Sequence, residues 1–532
     1  MDKNLTMTYE EHIKEQERIH REEQNKQNRQ RADVFRRIGL ASFIYAVVYT
    51  FCLYQNLTGI TSPVWAAVSA VYLCYVIKSS GKSLKKDSWF LIAIFMLLGI
   101  SNFLTGNLWI VWLNYLVMFV LLVGILLHNF YEDMTWDFGK YGEELITAVF
   151  GAVGKCLTPF SDGEAFLKQY RTGENKKTGY ILAGIGIAIP CVLILTGLLC
   201  QADMVFADMI GRALKNIIFP RKLFGILFML CFGFFSSYCV VRYIGLHTRK
   251  ETVEQKKTAE PLLAIALLGT VLIVYLIFCG IQVCYLFLGA GTLPEGVTYA
   301  DYARTGFFQL LFICLLNIAA VLAIKKYFRE NKALNGCLLA VCGCTFIMTA
   351  SSAYRMLLYI GAYYLTTLRF FVLAALSAIA VVMVGVTVFI IKQEFPLLKF
   401  TVAALCMIYT ALSFSRMDYI IADYNLNRCA GRAEAIDYDY IACLSTDAAP
   451  VVAEYGKTHP ELMEKYVLWE EKTDAGYGED ASGRDSWQVE ETLEWDEDMW
   501  FYRYWRENRE SMEEKALRKF NVSHAQAARL GL

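Results

Sequence analysis

The feature that most limits what this chain can become is a set of apolar runs, each of roughly 18 residues or more, separated by short polar links. A helix of that length crosses the hydrocarbon of a bilayer, and only a helix or a closed barrel satisfies its own backbone there. The runs are continuous rather than alternating, so they read as helices. The expected fold is all-α: a polytopic transmembrane bundle of about eleven spans with a small helical C-terminal domain outside the membrane.

The spans expected from length and polarity cover 38–57, 63–77, 89–104, 108–127, 180–200, 223–246, 261–288, 307–328, 334–360, 368–391 and 400–414. Composition agrees. The chain is 56% hydrophobic and 19% charged, against about 45–50% and about 25% in soluble domains. Three regions follow: a polar tail over 1–36, the membrane domain over 37–415, and an acidic helical region over 416–532. The first is too poor in apolar residues for a core and reads as a solvated helix or a disordered tail.

Basic residues set the direction. Arg29, Arg31, Arg36 and Arg37 precede the first span, and Lys78, Lys82, Lys85 and Lys86 follow the second. Further Lys and Arg follow the fourth, sixth and eighth, whereas the links after the first and third carry none. This places the protein in the cell membrane with its N-terminus cytoplasmic and, with eleven spans, its C-terminus extracytoplasmic. One link departs from the pattern. Arg212, Lys215, Arg221 and Lys222 fall on the outer side, where the stretch over 205–219 is read as an amphipathic surface helix. A second such stripe, from Phe138 to Val153, lies inside.

Several function classes are excluded or weakened. A net charge of zero implies no nucleic-acid partner. The six His are scattered, so no metal is expected. Most of the 16 Cys lie in apolar runs and behave as small hydrophobes. Only Cys429 and Cys443 lie in the polar tail, where they could pair. There is no phosphate loop, no nucleophile elbow and no zinc-protease motif. No catalytic residue and no cofactor is expected.

The informative polar groups gather at the outer ends of the late spans. Asp301 and Arg304 open the eighth, Arg355 and Tyr359 close the ninth, Arg369 opens the tenth, and Arg416 and Asp418 follow the last. Asn425 and Asp447 lie just beyond. Arginine near the membrane centre costs about 2.5–3.5 kcal/mol, and much less where it reaches headgroups. These nine residues are the candidate ligand-binding set, with Arg355 foremost because apolar residues flank it on both sides. Gln282, Gln309 and Asn317 add polar groups inside spans, where they glue helices or line a path. In the tail, Ser445, Thr446 or Asp447 caps a helix that Pro450 helps start. Trp500, Phe501, Tyr502, Tyr504 and Trp505, with Trp487 and Trp495, form either a core or an interfacial belt.

Four motifs occur in order: YADYARTGFFQL (Tyr299–Leu310), RMLLYIGAYYLTTLRFF (Arg355–Phe371), MDYIIADYNLNR (Met417–Arg428) and DYDYIACLSTDAAP (Asp437–Pro450). Together they resemble a bacterial polytopic membrane family catalogued as domain-of-unknown-function family 4173, known best from Gram-positive genomes. The resemblance spans roughly 181–450 and departs at Tyr364, where that family often has Gly. It implies a membrane bundle and carries no activity. The function expected is recognition of an anionic or envelope ligand at the outer face, with the bilayer and an envelope component or membrane protein as partners. The alternatives are a small-solute transporter, and an enzyme using Asp301, Asp418, Asp437 and Asp447 on a lipid-linked envelope precursor.

Overall fold

In the computed structural model the described residues are 9–133, 136–170, 221–246, 257–284, 307–428, 436–467, 499–513 and 517–530, with 192, 195–196, 199, 202–206 and 208–209. Among them the structure is helical throughout and no strand occurs. Among the described residues nine helices are long and apolar enough to cross a membrane, and a bent pair over Leu397–Ser413 and Met417–Arg428 makes ten. The protein is a multi-pass helical membrane protein. The expected span over 180–200 and the expected surface helix over 205–219 lie outside the described residues, apart from a few isolated positions, and so do Asp301 and Arg304.

The contacts divide the chain into two units. The first comprises Met1–Ile100 and Tyr115–Arg249. Its helices are α1 (Tyr9–Leu53), α2 (Thr61–Ser79), most of α3 (Lys86–Leu104) and of α4 (Leu108–Phe130), α5 (Phe138–Val153), α6 (Thr158–Tyr170) and α7 (Arg221–Leu246). From Tyr9 onward the polar tail is helix, continuous with the first span. Its exposed turns carry Arg18 and Arg21 against Glu15, Glu22 and Glu17 at helical spacing. Local chemistry sets the turns. Asn56 accepts from the Gly59 N–H at 3.1 Å and donates to Thr61 at 2.7 Å, and Asp137 caps α5 through the Lys140 N–H. Inside the unit polar groups join helices. Ser42 pairs with Tyr72 at 2.8 Å, Tyr45 with Ser69 at 3.1 Å, and Arg242 clamps the fully buried Asp162. The stripe on α5 is split: Leu145 and Val149 pack on the core, while Ile146, Phe150 and Val153 stay exposed.

The second unit comprises Ser101–Asn114 and Lys250–Leu532. It holds α8 (Pro261–Gln282), α9 (Phe307–Tyr327), α10 (Lys332–Tyr363), α11 (Thr367–Ile391), α12 (Leu397–Ser413) and α13 (Met417–Asp423). Beyond these come α14 (Tyr438–Ala442), α15 (Ala449–Thr458), α16 (Met499–Met512) and α17 (Val522–Leu530). Residues 416–532 therefore cluster with 250–415. One apolar core joins Met356, Ile360 and Leu376 of the long helices to Ile421, Val452, Trp500, Phe501 and Tyr504. Phe501 and Tyr504 are wholly buried, so these aromatics form a core; Trp487 and Trp495 lie outside the described residues. Between α8, α9 and α10 the buried Asn317 donates to Thr345 at 2.9 Å and accepts from Tyr275 at 2.8 Å. Of the two expected readings this is the first, a polar bond between helices. Gln309, in contrast, is exposed. Cys443 is a free thiol, and Cys429 is outside the described residues.

Candidate functional site

The densest polar construction in the second unit starts from seven residues, SNFLTGN, from Ser101 to Asn107, which are the last turn of α3 and the three-residue link to α4. The chain must leave α3 and enter α4 here, so several backbone groups lack helical partners. Side chains supply them. Asn107 Oδ1 accepts from the Ile110 N–H at 3.0 Å and starts α4. Thr105 Oγ1 accepts from the Asn107 N–H at 3.1 Å.

Two carboxylates close on that turn. Asp447 is completely buried; one oxygen accepts from the Thr105 hydroxyl at 2.5 Å and the other from the Gly106 N–H at 3.0 Å. Asp418 Oδ2 accepts from Asn107 Nδ2 at 2.9 Å and from the Ser445 N–H at 3.0 Å. Asp447 is delivered by a short 3-10 turn, Thr446–Ala448, which Ser445 caps before Pro450 starts α15. None of the three residues expected to cap the helix at Pro450 does so: the N-cap of α15 is Ala448, without a side-chain bond, and Ser445 caps the preceding 3-10 turn instead.

The same turn is gripped from α17 and α12. Asn521 donates to the carbonyls of Thr105 at 3.0 Å and Asn102 at 3.3 Å, and Ser523 pairs with Thr446 at 2.8 Å. Ser101 pairs with Ser413 at 2.6 Å. Asn114 donates to Asn102 and accepts from Ser413 and Tyr409. Tyr504 donates to the Ser445 carbonyl at 2.9 Å. Burial, with Asp418 and Asp447 nearby, pushes the Tyr504 phenol well above its ordinary range, so it stays a donor. A general acid or base must reach substrate. Asp447 has both oxygens engaged and no exposed surface, so it holds helices together, whereas Asp418 keeps Oδ1 buried without a hydrogen-bond partner among the described residues.

The arginines resolve into separate roles. Arg355 on α10 is buried, and its Nη2 donates to Gln282 Oε1 at 3.0 Å, which also accepts from Ser351 at 2.6 Å. Tyr359, one turn on, lies under the Arg369 guanidinium at 4.2 Å from the ring centre. Arg369 also donates to the carbonyls of Tyr363 and Tyr364, which α10 leaves unpaired as it ends. Asn425 completes that break by bonding both the N–H and the carbonyl of Leu365, each at 2.9 Å. At the end of α12, Arg416 takes a left-handed backbone with φ of 50° and donates to Gln526 at 2.9 Å. The structure thus brings together Asp418 with Asp447, and Tyr359 with Arg369. Arg355 is turned to Gln282 instead. Asp437, exposed, caps α14.

Sequence reasoning missed Thr105, Gly106, Asn107, Asn114, Asn521 and Ser523. A usable signal was present: SNFLTGN and Asn114 are a polar cluster inside the apolar third and fourth spans. Among the described residues no group of His, Cys, Asp and Glu is arranged to hold a metal.

No curated protein and no solved structure matches the chain. A family model described as Domain of unknown function (DUF4153) matches residues 92–455. The match does not confirm the resemblance to family 4173; it shares with it the lack of an assigned activity. It covers the SNFLTGN turn, Arg355, Arg369, Asp418 and Asp447, and stops before α16 and α17. Because more than half of the chain fits this one description, from within α3 to within α15, the chain belongs to the DUF4153 family.

Proposed function

We propose that the protein is a non-catalytic recognition protein of the cell membrane that binds an anionic envelope ligand through Arg355. In this reading the N-terminus is cytoplasmic, and the end of α10 with the C-terminal helices faces outward. The observation that carries the reading is the guanidinium of Arg355. It is buried within a candidate span, and its Nη2 donates to the Gln282 amide oxygen. A permanent charge at such a place is costly, and the usual reason for it is function. Arg369 and Arg416 are engaged by backbone carbonyls and by Gln526, so they set the local frame.

The test is complementation of a deletion strain. Arg355→Gln, present in the membrane fraction at the wild-type level, is expected to lose complementation, and Arg355→Lys to keep part of it. Full complementation by Arg355→Gln would sink the reading.

A further inference from the structure

The first unit contains an open cavity of about 420 Å³ at one end of its helices, within the roughly 300–1,000 Å³ of small-molecule sites. Twelve residues line it. Three are cations, Arg37 of α1, Lys82 beyond α2 and Arg242 of α7, and none is an acid. Most of the others are apolar, among them Ile38, Phe130 and Ile244.

The cations differ in what they are free to do. Arg242 is committed to Asp162, so that pair is neutral and fixed in place. Lys82 donates to the Phe130 carbonyl, and Arg37 is exposed, with no side-chain hydrogen bond or ion pair among the described residues. Three helices end here, α2, α4 and α7, and bare carbonyl ends would repel an anion. One carbonyl at each of these ends is bonded by a side chain. Lys82 bonds the Phe130 carbonyl, the Tyr131 hydroxyl bonds the Ile244 carbonyl at 2.5 Å, and the Ser80 hydroxyl bonds the Val76 carbonyl at 2.9 Å. What remains is two net positive charges above an apolar wall.

We propose that this cavity is a binding site for the phosphate group of an anionic amphiphile, held by Arg37 and Lys82 with its hydrocarbon along Ile38, Phe130 and Ile244. The basic-residue pattern assigns this end of the helices to the inner leaflet, where anionic lipid is concentrated. Basic pockets between membrane helices recognise such headgroups by charge, and the apolar wall separates an amphiphile from a free ion.

The test measures thermal unfolding of the full chain in neutral detergent. Dioleoylphosphatidylglycerol is expected to raise the midpoint by several degrees, and dioleoylphosphatidylcholine is expected to do much less. Glycerol 3-phosphate and inorganic phosphate form the soluble arm. A shift with them as large as with the lipid would overturn the amphiphile assignment. Arg37→Gln with Lys82→Gln is expected to remove at least half of the lipid shift. Arg37→Gln alone keeps the test readable if loss of Lys82 disturbs the end of α4. No lipid-dependent shift in the wild type, or an unchanged shift in both variants, would overturn the proposal.

Discussion

Asp447 accepts a hydrogen bond from the backbone N–H of Gly106, 341 positions earlier in the chain, at 3.0 Å. The side chain that starts the C-terminal helices thereby serves as the missing partner for the turn between two spans. With its other oxygen on Thr105 it satisfies two donors in a site closed to water.

Asp447→Ala would leave that N–H and that hydroxyl buried and unpaired. Each unsatisfied group costs about 1–3 kcal/mol. Thermal unfolding in detergent is expected to fall by several degrees, and limited proteolysis to cut within α15–α17 earlier than in the wild type. Wild-type resistance to both would show that the bond holds nothing.

Gly106→Ala attacks the same contact from the other side. A Cβ there would lie 2.1 Å from Thr446 Oγ1 and 3.1 Å from Ser523 Oγ. One must move, and both belong to the network around Asp447. Overpacking of this kind costs about 1–3 kcal/mol. The alanine variant is expected to melt below the wild type, whereas Gly269→Ala, with nothing within 4 Å of the added carbon, is expected to change the melting temperature little.

Tyr364 offers a comparison between two replacements. Its φ of 65° and ψ of 174° fall in a region that is essentially reserved for glycine, at a cost of about 1–3 kcal/mol for other residues. The side chain is buried and contributes packing in return. Both Tyr364→Ala and Tyr364→Gly lose the ring, but only glycine relaxes the backbone. The glycine variant is therefore expected to be the more stable of the two, the reverse of the order inside a helix. Equal melting temperatures would mean that the backbone there is unstrained.

Asp133 governs a pH response. Burial raises its carboxyl, but the hydrogen bond from His128 at 2.6 Å and the charges of His128 and Lys85 outweigh it, so the group titrates below the usual range. A depressed carboxylate contributes stability that is fully present above its unfolded value of about 3.9 and is lost as pH falls through the folded value. Thermal unfolding from pH 7 down to pH 3 is expected to show this loss in the wild type and to flatten in Asp133→Asn. Parallel curves for the two proteins would assign the acid sensitivity elsewhere.

The membrane helices were legible because lipid allows one solution for a long apolar run, and length alone then gives the spans. Arg355 and the tail aromatics were legible by the same logic, as residues uncomfortable in their surroundings. What was not legible is pairing. Thr105, Asn107 and Asn521 are ordinary polar residues, and their meaning comes from partners more than 300 positions away. Arg369 was read as available to a ligand because its charge is visible in the sequence. The carbonyls of Tyr363 and Tyr364 that occupy it appear only once α10 is seen to break at a tyrosine with positive φ. The Gly expected at that position in the resembling family was the one trace of that break.

Helix α1 runs without interruption for 45 residues, from Tyr9 to Leu53. At 1.5 Å per residue that is about 68 Å, more than twice the hydrocarbon thickness of about 30 Å. The part before Ile38 is thus a stiff arm of about 44 Å continuous with a membrane span. A change of roughly 10° in the tilt of the span would carry the far end through about 8 Å. The first helix therefore has the proportions of a lever arm, in which a small reorientation of the span is a larger displacement of the far end.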